Sequence, residues 1–119
     1  MENKGEIVVY QPDEITRLEV RLKDETVWLN RQQIALLFGR DVKTIGKHIN
    51  NALTEELSDI PTVANFAIVQ KEGARWVTRY IEHYNLDMII SIGYRVKSPK
   101  GILFRRWANT VLKEYLIKG

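Results

Sequence analysis

The sequence predicts an α+β fold: a helix-turn-helix core with a small N-terminal antiparallel sheet and a β-hairpin wing, winged-helix-like, followed by two C-terminal helices. Three observations carry that prediction. The run QQIALLFGRDVKTIGKHINN, from Gln32 to Asn51, holds the parts of two short helices joined by a tight turn. Two β-type runs, Val63 to Gln70 and Arg75 to Tyr84, follow it around a glycine-containing loop. Ahead of it, Thr16 to Lys23 alternates apolar and polar residues as a half-buried strand does.

Taken in order, Ile7-Val8-Val9-Tyr10 is a short β-type run, and Pro12-Asp13 marks a turn. Leu18, Val20 and Leu22 share one face of the next strand, with Arg17, Glu19, Arg21 and Lys23 on the other. Asp24-Glu25 turns the chain into a return strand, Thr26 to Leu29. Asn30 and Gln33 have the spacing of a capping box at a helix start. Ile34, Leu37 and Phe38 form the apolar stripe of the first helix, and Ala35 leaves room for the second to cross it. Gly39 suits the left-handed backbone that ends a helix. Asp41 can cap the second helix, whose Ile45 and Ile49 pack back onto the first.

Thr54 to Leu57 is expected to begin another short helical turn, which Pro61 ends. Lys71-Glu72-Gly73-Ala74 is the expected hairpin loop, with Trp76, Tyr80 and Tyr84 on one strand face, where they could cover the helices. Asn85 can cap a largely buried helix from Leu86 to about Val96. Ser98-Pro99-Lys100-Gly101 breaks it. A last helix from Ile102 to about Ile117 repeats Phe104, Trp107, Ala108, Val111, Leu112 and Tyr115 at helical spacing.

At 119 residues and 45% apolar content the chain suits one domain with a real core. That domain, residues 1–119, divides into an N-terminal β segment (1–30), the helix-turn-helix with its wing (31–84) and a C-terminal helical element (85–119). It is expected to be the N-terminal part of a longer protein. There is no cysteine, hence no disulfide, thiolate metal site or cysteine nucleophile. No apolar run approaches the roughly 20 residues that span a bilayer, and the first residues lack a secretory apolar stretch. A cytoplasmic location is the expectation.

Net charge is only +3, but it is unevenly placed. Residues 1–30 carry four basic and seven acidic side chains, whereas 95–119 carry seven basic and one acidic. Such asymmetry points to one electropositive face and a polyanionic partner. On the second helix of the pair, Lys43, Thr44, Lys47, Asn50 and Asn51 fall outward. Their cations, hydroxyl and amides suit phosphates and base edges. Arg40, in the turn, departs from the small apolar residue usual there and is expected to reach DNA backbone. Lys71, Arg75 and Arg79 are candidate wing cations, and Arg95, Lys97 and Lys100 a second phosphate-binding group. The expected partner is double-stranded DNA, with a possible homodimer through Trp107, Val111 and Tyr115. The alternative is a protein-interaction or dimerisation module of a larger protein.

No catalytic constellation is present. His48 and His83 sit on different elements without ligand-spaced carboxylates, and there is no phosphate loop or nucleophile elbow. Neither metal nor cofactor is expected, and the chain is not expected to be an enzyme.

The runs GEIVVYQPDEITRLEVRLKDETVWLNRQQIALLFGRDVKTIGKHINN and YNLDMIISIGYRVKSPKGILFRRWANTVLKEYLIKG together resemble the start of the virulence RhuM family. Most specific are LEVRLKDETVWL, the Tyr84-Asn85-Leu86-Asp87 start and the GYRVKS…FRRWA string. The resemblance implies a bacterial protein of mobile or pathogenicity islands, DNA-binding by motif, with a further C-terminal region. It implies no established biochemical activity. The last segment is also similar to the end of BRO-type N-terminal domains of phage antirepressors, where a basic turn precedes an F-x-x-W helix. Phe104 and Trp107 hold those places here, after Lys97 and Lys100.

Overall fold

In the computed structural model, which describes residues 5–118 and the side chains of residues 5–115, four helices cover one face of a five-stranded antiparallel sheet. The strands are β1 (Glu6–Tyr10), β2 (Leu18–Lys23), β3 (Thr26–Asn30), β4 (Val63–Glu72) and β5 (Arg75–Asn85). Helices α1 (Arg31–Phe38) and α2 (Val42–Glu55) lie between β3 and β4, and α3 (Leu86–Arg95) and α4 (Lys100–Lys118) follow β5. The sheet order is β1-β2-β3-β5-β4. The fold is α+β, as expected, but one feature differs. The N-terminal strands and the hairpin are not two separate β units. β3 pairs with β5, Trp28 opposite Asn85 and Asn30 opposite His83, and this joins them into one sheet.

Alternation in β2 and β3 decides what each face does. Leu18, Val20, Leu22, Val27 and Leu29 are buried beneath the helices with Tyr84. The facing helix residues include Ile34, Phe38, Ile45, Ile49, Met88, Ile92, Phe104 and Ala108, all buried. The opposite sheet face holds a smaller cluster. The Trp28 and Phe66 ring centroids are 5.4 Å apart, those of Phe66 and His83 5.1 Å, and the Arg21 guanidinium stands 4.7 Å from the Phe66 centroid.

Turns and caps follow the local sequence closely. Asp24 and Glu25 both take positive φ, 54° and 61°, between paired Lys23 and Thr26. That is the two-residue geometry whose twist matches antiparallel strands. Asn30 caps α1 in a full capping box with Gln33. Gly39, at φ 64°, closes α1 in the left-handed region, and its N–H donates to the carbonyls of Ala35 and Leu36. Asp41 accepts from the Thr44 N–H to start α2, and Asn85 from the Met88 N–H to start α3.

Four boundaries differ from expectation. α2 runs unbroken to Glu55, so Thr54 belongs to it rather than to a new turn. The ladder of β4 and β5 continues to Glu72 and Arg75, because Gly73 takes a positive φ of 63° and lets two residues make the turn. α3 ends at Arg95, and Lys97 turns the chain with φ 54°. α4 starts at Lys100, whose N–H is accepted by the Ser98 hydroxyl, with Pro99 between them at a helix start where proline is well tolerated.

Candidate nucleic-acid interface

The side chains proposed from sequence fall into three groups: the outer face of α2, the β4–β5 ribbon and the α3–α4 turn. On α2 the burial is sharply divided. Ile45, Gly46, Ile49 and Ala52 are buried, whereas Lys43, Lys47, Asn50 and Thr54 are exposed. At 3.6 residues per turn the exposed four lie within about 60° of one another. No acidic side chain occurs between Val42 and Thr54. Thr44 and Asn51 are half-buried on the flanks of that stripe. Thr44 is committed to the helix start: its hydrogen bonding holds the Asp41 carboxyl below the ordinary range, Lys43 assisting. The Thr54 hydroxyl donates to the Asn50 carbonyl 3.0 Å away, leaving the Asn50 amide as the outward group.

Arg40 is engaged within the chain. Its guanidinium donates to the carbonyls of Phe38 and Val96, both at 3.0 Å, tying the end of α1 to the end of α3. Arg95 is likewise occupied, within 3.0 Å of Glu55 and 2.9 Å of Glu56 at the end of α2. Glu56 also accepts from the Ser91 hydroxyl, and those bonds, Ser91 first and Arg95 next, hold its carboxyl below the usual range. Of the basic group at the α3–α4 turn, Lys97 and Lys100 remain exposed.

On the ribbon, Arg79 forms a bidentate pair with Glu72, at 2.7 and 3.0 Å. Lys71 and Arg75 are exposed near the tip, the Lys71 ammonium 5.9 Å from the Trp76 ring. Two features have no counterpart in the sequence reading. Trp76 and Tyr80 do not cover the helices: they are 70% and 74% exposed, and only Tyr84 of that series is buried. A cleft of about 520 Å³ opens at the root of the ribbon, with Tyr80 and Tyr84 on one wall and Arg31 and Val42 on the other. Arg31 also lies over Gly46, where an added Cβ would come within 3.0 Å of its guanidinium.

Comparison with known proteins bears on the second half of the chain. Residues 61–119 match the model of the Virulence protein RhuM family. The matched segment carries the ribbon, α3 and α4, and lies beyond α2. The similarity to BRO-type domains finds no counterpart in that match. No curated protein and no solved structure matches the chain.

Among the described residues no three His, Cys, Asp or Glu side chains are placed to hold an ion. His83 is buried against Phe66, with Nδ1 2.8 Å from the Ile81 carbonyl. Burial, with Arg21 nearby, pushes its pKa down, so the ring is held neutral. On α4, Trp107, Val111 and Tyr115 pack against the core, Trp107 with its ring 4.8 Å from that of Tyr10. Among the described residues no helix is long and apolar enough to cross a membrane.

Proposed function

We propose that this chain is a regulatory DNA-binding module that reads the major groove of a duplex with α2 and sets the β4–β5 ribbon beside it as a wing. The observation that carries this reading is the outward stripe of Lys43, Lys47 and Asn50, unbroken by any acid and backed by the buried face of Ile45 and Ile49. A helix so presented fits the major groove, where lysines reach phosphates or guanine and an asparagine amide pairs with adenine. Lys71 and Arg75 serve as the wing cations, and Lys97 and Lys100 hold further phosphates. Arg40 and Arg95 contribute through the fold, since their guanidinium groups are spent on Val96 and on Glu55 and Glu56.

Fluorescence anisotropy with mixed duplex DNA at about 50 and 200 mM salt tests the proposal. Affinity should fall with a log–log slope near −0.9 per phosphate contact. Lys47→Ala should weaken binding by on the order of 1 kcal/mol. An affinity indifferent to salt, or to Lys47→Ala, removes α2 from the interface.

A second reading, a protein-interaction module, is favoured by a groove of about 350 Å³ between α3 and α4, where Tyr94 and Ile102 are exposed. There a second copy or another domain would dock, using whatever surface Trp107, Val111 and Tyr115 leave uncovered. A sedimentation monomer that ignores duplex DNA would favour this reading with a heterotypic partner.

A further inference from the structure

We propose that the aromatic face of the β4–β5 ribbon, with the cleft at its root, binds single-stranded nucleic acid by base stacking. This surface is distinct from the α2 stripe. Among the described residues, β5 beyond Asn85, Tyr84 and His83 pairs with β4 alone, so the distal ribbon projects from the sheet as a two-stranded arm. Its register places Trp76 opposite Lys71, Thr78 opposite Val69 and Tyr80 opposite Ala67, all on the face that Tyr84 presents to the helices. The helix layer covers Tyr84 and stops short of Tyr80, which leaves Tyr80, Trp76 and Val69 in solvent.

Charge decides which occupant this face fits. Of the ribbon's acids, Glu72 is neutralised by Arg79 on the opposite face, and Glu82, in the cleft lining, accepts from the Tyr84 hydroxyl at 2.9 Å. Two cations stand beside the rings: the Lys71 ammonium lies next to Trp76, and Arg31 forms the far wall of the cleft. Aromatic faces set among cations suit a polymer of flat bases joined by phosphates, and stacking needs no particular base. Trp76 and Tyr80 stand about 13 Å apart along a strand rising ~3.3 Å per residue, so each ring serves a different base. The cleft lies within the range of small-ligand pockets, about 300–1,000 Å³, and can admit an unstacked base beside Tyr80. In a duplex the base faces are already stacked on one another, so the occupant is a single strand.

The sequence supplies its own probe. Of three tryptophans, Trp28 is buried, Trp107 is packed against Tyr10, and Trp76 stands in solvent. The whole chain is titrated with oligo(dT) of about 16 nucleotides, a length covering a typical single-strand site, at about 50 mM salt. Tryptophan emission should be quenched, and Trp76→Phe should abolish the quench. Tyr80→Ala should weaken binding about tenfold. The double variant Lys43→Ala/Lys47→Ala should keep the quench. If that variant loses duplex binding yet retains the quench, the α2 and ribbon surfaces are separate, as proposed. If wild type fails to bind duplex but oligo(dT) still quenches, only the duplex reading fails. Absence of a quench, or unchanged affinity in Tyr80→Ala, would each overturn the ribbon proposal.

Discussion

The Arg40 guanidinium donates to the Val96 carbonyl at 3.0 Å, a bond between residues 56 apart that ties the end of the first helix to the end of the third. It also donates to Phe38 in its own helix end. A turn arginine that would otherwise suit a phosphate therefore closes carbonyls that the helix ends leave without intrahelical partners. Arg40→Ala should lower stability by about 1–2 kcal/mol, the loss of hydrogen bonds made by a charged donor. Urea unfolding measures this. A variant with unchanged stability but weakened DNA binding would return Arg40 to the interface.

Asn85 joins the last strand to α3. Its side chain accepts from the Met88 N–H at 3.2 Å, and the residue is buried. Asn85→Ala should cost about 1–2 kcal/mol, since the orphan N–H is left without water to replace the cap. Asn85→Asp should recover part of that loss. Thermal melts of the two variants check the order.

His83 gives the fold a pH dependence with a fixed sign. Its folded pKa lies below the ordinary value of about 6.5, chiefly through burial. The stability tied to the neutral ring is therefore present above about 6.5 and is lost as pH falls from there through the folded value. Each unit of separation contributes at most about 1.4 kcal/mol. Urea midpoints taken between pH 7.5 and 5.5 should fall in the wild type and fall less in His83→Phe. Equal slopes would show that another group titrates in that window.

Glu56 works in the opposite chemical class with a parallel sign. Hydrogen bonds from Ser91 and Arg95 depress its folded pKa below 4.5, so its contribution is present above that value and is lost as pH falls through the depressed one. Because the pair is half in solvent, Glu56→Gln should cost only about 0.5–1 kcal/mol at neutral pH. The difference between wild type and variant should shrink at acid pH. A difference that persists there would assign the effect to Ser91 packing rather than to charge.

Local signals were legible and distant ones were not. Asn30, Gly39, Asp41 and Asn85 announce their caps because a cap is a relation between residues at most four apart. The outward stripe of α2 was legible for the same reason, being set by helical period alone. The pairing of β3 with β5 left no mark, since α1, α2 and β4 separate Leu29 from Tyr84 along the chain. Period two correctly set Trp76, Tyr80 and Tyr84 on one face, but alternation names a face without saying how far the opposing layer reaches. The engagement of Arg40 and Arg95 leaves no local trace, because their partners, Val96 and Glu55 with Glu56, lie a large part of the chain away.

The pairing of β3 with β5 also governs the order in which the molecule can assemble. A chain emerging from its N-terminus can form the β1–β2–β3 meander and the α1–α2 pair early, since their contacts are short-range. The inner edge of β3 must wait for His83 to Asn85, and until then its backbone groups are served by water. Closing such a span is entropically costlier than closing a hairpin, each doubling of the intervening length adding about 0.6 kcal/mol. Long-range closures of this kind raise contact order, which slows folding. Residues 61–119 on their own would hold β5 without the strand it completes, with Tyr84 and Phe104 deprived of the apolar layer of Leu22, Val27 and Leu29 that buries them.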